Sequence, residues 1–218
     1  MDYHIFTDWL TSLGTIGAVV IAVLSRPIRN WWNRPRIDIT CSNKEPCVVQ
    51  IGGTSSNSDT DKRLVMRIKV TNTGNYNATY SALYVDSFYQ KRRDGKYIQK
   101  EFTPKQLRDY KNSTPSVIAS HLVYYFDIAT LLRFDIQTNE NGTVKAKQFY
   151  KLYLLGDGKT TELGTGSFII PVKFYCSNSC SVVKYISVFW DGVDLSKESS
   201  VFDFKIINEK EFEELTKR

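Results

Sequence analysis

Arg63-Leu-Val-Met-Arg-Ile-Lys-Val-Thr71 sets branched apolar residues against polar ones with a period of two. Because successive side chains of a strand point to opposite faces of a sheet, this alternation predicts a strand with one buried and one wet face. Turn-forming pairs such as Asp94-Gly95 and Asn141-Gly142 separate similar runs, and they favour hairpins. The sequence therefore predicts a mainly β protein, an antiparallel β-sandwich or barrel of about seven or eight strands. The other predicted strands are 36–41, 82–89, 144–155, 167–176, 182–190 and 201–207.

One of the turns resembles a known element. Val70-Thr-Asn-Thr-Gly-Asn-Tyr-Asn-Ala78 is similar to the strand-turn-strand V-x-N-x-G-x-x-x-A element of bacterial immunoglobulin-like and adhesion-type β-sandwich modules. There the glycine permits a tight turn, and the small alanine packs where the next strand begins. The resemblance implies an immunoglobulin-like sandwich, and it bears on the fold far more than on a function.

The N-terminal part of the chain contains an uncharged stretch, Trp9-Leu-Thr-Ser-Leu-Gly-Thr-Ile-Gly-Ala-Val-Val-Ile-Ala-Val-Leu-Ser25. At about 1.5 Å of rise per residue, its length is at the lower limit of what spans roughly 30 Å of hydrocarbon. We predict one N-terminal transmembrane helix within an anchor over residues 1–36; a buried helix of a soluble core is the alternative. The predicted basic and aromatic collar at the membrane surface is Arg26, Arg29, Trp31, Trp32 and Arg34.

The distribution of cations predicts an orientation. Four arginines follow the apolar stretch, whereas only Asp2, His4, Asp8 and the terminal amine precede it. The positive-inside bias then places the C-terminal flank in the cytoplasm. A cleaved signal peptide has its positive charge before the apolar segment, which is the reverse order. We therefore expect a single-pass protein of the inner (plasma) membrane, with its N-terminus outside and residues 37–218 as a cytosolic β domain.

Small residues are arranged regularly within the predicted anchor. Gly14, Ala18 and Ala22 recur at every fourth position, which forms a stripe where two helix backbones can approach closely. The stripe predicts self-association of the anchor. The alternative is that small residues are simply common in membrane helices.

Residues 91–111 carry the densest charge in the sequence. The chain has a formal net charge of +6, and its first 36 residues hold four arginines and two aspartates, so +4 remains for the rest. The window alone has a surplus of five cations, which leaves the remaining domain nearly neutral and makes nucleic acid an unlikely partner. Interleaved aromatic residues favour an anionic lipid, a nucleotide or a negative protein surface as ligand; a solvated hairpin tip is the alternative. The candidate binding residues are Lys91, Arg92, Arg93, Lys96, Lys100, Lys105 and Arg108.

Three segments depart from the strand pattern. Thr103 and Pro104 form an N-cap and first-turn signal, which predicts a short helix near 104–110. Asn208 with the early acids after it predicts a second short helix near 209–217. The segment 116–132 fits both the helix and the strand template, and we expect it to be buried.

The four cysteines, Cys41, Cys47, Cys176 and Cys180, form two local pairs. In a cytosolic domain we expect free thiols, with disulfides and a zinc site as alternatives. No catalytic motif occurs, and His121 lies in an apolar segment where a core or interface role is favoured over chemistry. The sequence thus predicts no enzyme, no cofactor and no metal site.

Two functional hypotheses follow. The first is a membrane-anchored binding or effector module whose cytosolic β domain recognises a protein partner or an anionic ligand, and whose anchor forms a homo-oligomer in the bilayer. The second is a passive membrane scaffold or accessory subunit of a larger complex. The layout as a whole also resembles small single-pass proteins of bacteria, some of them encoded in antiphage defence operons, and this resemblance implies an antiviral role.

Overall fold

The structure is a computed structural model, and it describes residues 3–51, 63–109, 116–140, 143–156, 160–192 and 202–217. Helix α1 (Tyr3–Trp32) leads into a β domain that ends in helix α2 (Glu209–Thr216). The strands between them are β1 (Ile37–Thr40), β2 (Val48–Ile51), β3 (Arg63–Asn72), β4 (Ala78–Thr79), β5 (Ala82–Val85), β6 (Phe88–Lys91), β7 (Tyr97–Lys100), β8 (Lys105–Gln106), β9 (Val117–Ile118), β10 (Val123–Glu140), β11 (Thr143–Leu154), β12 (Thr161–Glu162), β13 (Gly166–Tyr175), β14 (Val182–Trp190) and β15 (Phe202–Ile207).

The strands form antiparallel sheets that curl into a half-barrel. The first sheet has six strands in the order β1-β3-β10-β11-β12, with β2 also paired to β3. The second has seven strands in the order β15-β14-β13-β5-β8, with β6 paired to β13 and β7 paired to β6. Strands β4 and β9 form a separate pair. The prediction of a mainly β, antiparallel protein is therefore confirmed.

The two large sheets are joined along both sides. On one side the chain after β8 forms a bridge between Asp109 and Phe126 of β10. On the other side the Asn43 amide donates to Asp203 Oδ1 at 2.9 Å and accepts from the backbone N–H of Phe204 in β15. These contacts close the half-barrel around a core whose largest fully buried side chains are Trp190, Phe168, Phe174 and Phe204.

All seven runs predicted as strands contain strands. The run 63–71 is β3, in which the apolar positions from Val65 to Val70 are buried. The predicted number of strands was too low, because the run 82–89 is divided into β5 and β6 and several two-residue strands were not recognised. The turn predicted at Asn141-Gly142 lies outside the described residues.

The prediction of a short helix near 104–110 was wrong. Residues 105–106 form β8, in which Lys105 pairs with Val85 of β5, and the Leu107 N–H donates to Leu83 O at 2.8 Å. Pairing with the edge of β5 gives the backbone N–H and C=O groups of this segment hydrogen-bond partners. An isolated helical turn would leave most of these groups without a partner inside the helix.

The segment 116–132, which fitted both templates, consists of β9 and the start of β10. It is not uniformly buried as expected, because Val117, Leu122 and Val123 are exposed. Helix α2 agrees with the prediction. Its N-cap Asn208 accepts from Glu211 N–H at 2.8 Å, and Phe212 stacks on Tyr185 with ring centroids 4.0 Å apart.

Helix α1 contains the apolar stretch that the sequence analysis identified. In the described part of the chain, no helix is both long enough and apolar enough to cross a membrane. The transmembrane helix predicted within residues 1–36 is thus not confirmed by the structure.

Candidate functional site

Four segments meet where α1 joins the β domain, and we call this end of the domain the cap. Ser179 Oγ donates to Pro35 O at 3.2 Å, just after α1 ends. Ser120 Oγ donates to Gly74 O at 2.6 Å, and the Ser177 N–H donates to Thr79 O at 2.9 Å. These hydrogen bonds hold the segments together as one surface. The cap consists of residues 32–36, 73–81, 116–123 and 175–183.

Asn72, the last residue of β3, directly precedes the cap segment 73–81, and its side chain is fully buried. Its Oδ1 accepts from the Gly74 N–H at 3.0 Å and from the Arg36 N–H at 3.1 Å. Its Nδ2 donates to Tyr76 O at 2.7 Å and to Ile118 O at 3.2 Å. Both amide donors are satisfied and the carbonyl accepts twice, as a buried polar side chain requires. Asn72 therefore ties the chain leaving α1 to two separate loops of the cap.

The nine-residue element that resembles adhesion-type modules is explained by this arrangement. Val70 and Ala78 are fully buried in the core. A Cβ at Gly74 would fall against the backbone of Arg34 and Arg36, so glycine is required there for space. The sequence analysis recognised the glycine as a turn residue but missed the role of the asparagine two residues before it.

The exposed surface of the cap combines large apolar side chains with uncharged polar residues and arginines, and it contains no acidic residue. The four cap segments contain no aspartate or glutamate, and Arg34 and Arg36 are exposed. Every large hydrophobic side chain found exposed in the described residues of the β domain lies in the cap: Tyr76, Tyr80, Val117, Leu122, Val123, Tyr175 and Val183. No sequence signal marked these residues, because they come from separate loops that only the fold brings together.

The basic hairpin formed by β6 and β7 lies at the other end of the domain. Strand β13 ends in the cap at Tyr175, and β6 pairs with its opposite half, with Tyr89 opposite Ile169. From there β6 continues away from the cap, so the hairpin tip 92–96 is at the far end. Four of the predicted binding residues are exposed at or beside this tip: Lys91, Arg92, Arg93 and Lys96.

The remaining predicted cations are less accessible. Lys100 and Arg108 are half-buried. Lys105 is only 8% exposed; its Nζ donates to Thr161 Oγ1 at 2.7 Å and lies 5.4 Å from the centre of the Phe102 ring. Lys105 is therefore a structural residue and is removed from the candidate ligand site. Lys111 of the basic window lies outside the described residues.

Helix α1 has two different faces between Trp9 and Ser25. At 100° per residue, its described large apolar side chains occupy an arc of about 200° that also includes Ser12 and Gly17, and each of these apolar side chains is between 46% and 70% exposed. We call this face the apolar arc: Trp9, Leu13, Ile16, Val19, Val20, Ile21, Val23 and Leu24. The opposite face contains the small residues Gly14, Ala18 and Ala22 together with Thr11, Thr15 and Ser25.

Two hydroxyl groups on the small face bond to the helix backbone. Thr15 Oγ1 donates to Thr11 O at 2.8 Å, and Ser25 Oγ donates to Ala22 O at 2.9 Å. Hydroxyls satisfied in this way need no water.

Of the predicted collar, Trp32 and Arg34 are exposed at the junction with the cap. Trp32 lines a pocket of about 150 Å³ together with Arg36, Thr73 and Gly74. Arg26, Arg29 and Trp31 belong to the C-terminal part of α1, but their side chains lie outside the described part of the structure.

All four cysteines are free thiols. Burial raises the pKa of Cys41 to about 12, and the nearby Cys47 and Asp203 add to the effect. Burial also raises the pKa of Cys176, whereas Cys180 is exposed in the cap.

His121 is exposed in the turn before β10, in the left-handed region at φ 59°, and its N–H donates to Asn72 O at 2.8 Å. Of the two roles expected for this histidine, a core role is therefore wrong, and an interface role stays a prediction. Among the described residues, no group of three or more histidines, cysteines and carboxylates is placed to hold a metal ion.

No family model, no curated protein and no solved structure matches this chain. The function proposed next therefore depends on the chemistry of its own residues.

Proposed function

We propose that this protein is a membrane-attached binding module. Helix α1 inserts into the inner membrane of the cell, and the β domain lies on the cytoplasmic side. There the exposed cations of the basic hairpin bind a protein partner or an anionic ligand such as a nucleotide. The observation that carries the proposal is the apolar arc of α1, which the β domain leaves exposed.

Exposure of this arc to water is unfavourable. Burying one large apolar side chain contributes about 1.5–3 kcal/mol, and the arc has eight of them. Contiguous apolar surface of this kind marks an interaction site in soluble and membrane proteins alike. No charged residue occurs between Trp9 and Ser25, and a helix satisfies its own backbone groups, so this stretch can enter the apolar part of a bilayer without burying a charge.

The small face supports self-association of α1 as part of the same proposal. Side chains no larger than threonine allow two helices to approach closely along Gly14, Ala18 and Ala22. The apolar arcs then face lipid on the outside of the pair. Ligand binding by the β domain would change how two such helices meet, which converts binding into a response at the membrane. An antiviral role of this response rests on the resemblance of the layout to bacterial defence proteins.

The immunoglobulin-like assignment of the β domain also remains a proposal. It is supported by the role that each residue of the V-x-N-x-G-x-x-x-A element has in this fold. Val70 and Ala78 are core residues, Asn72 holds the cap together, and Gly74 makes room for the chain leaving α1.

Flotation of the full chain with vesicles tests attachment to the membrane. The native protein should float with the lipid and resist extraction at high pH. Ile16→Asp with Val20→Asp places two charges on the apolar arc and should release most of the protein into the soluble fraction. Arg93→Asp at the hairpin tip is the matched control and should float normally. A native chain that remains in the soluble fraction would exclude the proposal.

The predicted orientation is tested separately, on intact cells. A full crossing with the N-terminus outside remains a prediction from the charge distribution alone. Protease added outside the cells should leave the β domain intact, and protease added after lysis should digest it.

Self-association is tested by energy transfer between labelled chains in vesicles. Gly14→Leu with Ala18→Leu should reduce the transfer, because bulky side chains hold the helices apart. Val19→Phe with Val23→Phe, on the apolar arc, adds a comparable number of side-chain carbon atoms and should have no effect. If both pairs behave like the native chain, α1 acts as a passive attachment, as the scaffold hypothesis predicts.

A further inference from the structure

We propose that the cap is a second membrane-contact surface, which lies against the anionic headgroups of the bilayer that α1 enters. This inference rests on the proposed function, because it requires α1 in the membrane. It assigns lipid contact to a part of the β domain that no sequence motif indicated, and it removes that role from the basic hairpin.

The first argument is the short connection between α1 and the cap. Three peptide units separate Trp32, the last residue of α1, from Pro35, so the two Cα atoms are at most about 11 Å apart. The chain is held at this point, because Pro35 O accepts from Ser179 and the Arg36 N–H donates to Asn72. When α1 is in the bilayer, the cap is therefore at the membrane surface.

The second argument is the composition of the surface. All the large hydrophobic side chains that the described β domain exposes are in the cap, and none is at the hairpin end. Tyr76 and Tyr80 are 52% and 82% exposed, and Trp32, which lines a pocket with Thr73 and Gly74, is 63% exposed. Tyrosine and tryptophan prefer the headgroup level of a bilayer, where the ring is in an apolar layer and the polar atom is in water.

The third argument is charge. The cap contains no carboxylate, and its exposed Arg34 and Arg36 are adjacent to the end of α1. The cytoplasmic leaflet is negatively charged and attracts basic residues within a Debye length of its surface. A surface that combines apolar residues and arginines without acidic residues is complementary to such a leaflet.

The basic hairpin is too distant to share this contact. Strand β13 connects the two ends with ten residues, which corresponds to about 30 Å at 3.3 Å per residue. The Debye length at physiological salt is about 8 Å, so the leaflet exerts little attraction on the hairpin tip. The hairpin thus faces the cytosol, where it is free to bind a soluble ligand.

The test measures the depth of nitroxide labels on the full chain in phosphatidylcholine and phosphatidylglycerol vesicles. Cys176→Ser with Cys180→Ser removes both thiols of the cap. One new cysteine per variant is then introduced as Ile16→Cys on α1, Leu122→Cys on the cap or Lys96→Cys on the hairpin. Collisions with oxygen, which partitions into lipid, are compared with collisions with a water-soluble nickel chelate. We expect the Ile16 and Leu122 labels to collide with the chelate several-fold less often than the Lys96 label.

Each other outcome contradicts a different statement. If lipid shields the Ile16 label but the Leu122 label collides with the chelate as often as the Lys96 label does, the cap does not contact the membrane. The proposed attachment through α1 is then unaffected. Frequent collisions of the Ile16 label with the chelate would contradict the attachment of α1 to the membrane itself. A Leu122 label that is shielded without vesicles, or whose spectrum sharpens when unlabelled chain is added, identifies a second copy on the cap and also overturns the inference.

Discussion

The two ends of the β domain differ in how they are built and in what they expose. The cap is fixed by a fully buried asparagine, and its surface exposes large apolar side chains and no acidic residue. The hairpin end is a turn stabilised locally, in which Asp94 Oδ1 accepts from the Lys96 N–H, and its surface is basic. This difference shows that a cluster of charged residues in the sequence does not reveal at which end of a sheet the cluster will lie. The position of the cluster in the fold decides which partners it can bind.

The cysteines provide the largest contrast between the cap and the rest of the domain. With its pKa raised from 9.0 to about 12, Cys41 has on the order of 10³ less thiolate at pH 8 than an ordinary thiol. We therefore expect a disulfide reagent to modify Cys180 rapidly and Cys41 only after unfolding. Peptide mapping of the modified sites over time measures this. Rapid modification of Cys41 in the folded chain would contradict its raised pKa.

The same pKa shift predicts a pH dependence of stability. The folded state holds the Cys41 proton more tightly than the unfolded state does, so the contribution of this thiol is fully present below pH 9. It is lost as the pH rises from 9 towards 12. Cys41→Ser should flatten the stability profile in this range, as measured by denaturant unfolding.

Asn72→Ala tests the buried centre of the cap. The substitution leaves two N–H groups and two carbonyls without their partner, which should lower the free energy of unfolding by about 3–4 kcal/mol. Urea unfolding of the full chain, followed by tryptophan fluorescence, measures the change.

Asn77→Ala is the matched control for this substitution. Asn77 is exposed in the same loop, and its side chain accepts one hydrogen bond from the Ser120 N–H at 2.8 Å. Its loss should cost about 1 kcal/mol or less. Equal effects of the two substitutions would refute the central role of Asn72.

Gly74→Ala tests how closely the chain leaving α1 approaches the cap. A methyl group there must displace the backbone of Arg34 and Arg36, which should destabilise the protein by about 1–3 kcal/mol. Amide exchange at Arg36 should increase most, because its hydrogen bond to Asn72 is strained first. Gly14→Ala, with no other atom within 4 Å of the new methyl group, should leave the exchange at Arg36 unchanged.

Neutralising the hairpin tip should have the smallest effect on the fold. Arg92→Ser, Arg93→Ser and Lys96→Ser change exposed residues and should alter the unfolding free energy by about 0.5 kcal/mol or less each. Flotation with vesicles should be unchanged, whereas binding of phosphate-bearing ligands, measured by calorimetry, should decrease. If the triple variant no longer floats with the vesicles, the hairpin contributes to lipid contact, which would contradict the assignment of this role to the cap.

The sequence predicted the strands because the alternation of apolar and polar residues reports which face of a strand is buried. It did not predict the location of Lys105, because a helix-start signal at Thr103 and Pro104 was outweighed by pairing with β5. The cap could not be predicted either, since its residues are far apart in the chain and only the fold joins them, through Asn72 and through hydrogen bonds such as that from Ser179 Oγ to Pro35 O. Helix α2 was predicted because its N-cap Asn208 and the acids that follow are a local signal, whereas the docking of its Phe212 on Tyr185 depends on the fold.

Hydrogen exchange of the full chain, with and without anionic vesicles, tests the central claim most directly. The account predicts that vesicles slow exchange in α1 and in the cap segments 73–81 and 116–123, and leave the hairpin 91–100 unchanged. Slowed exchange in the hairpin with no change in α1 and the cap would contradict it.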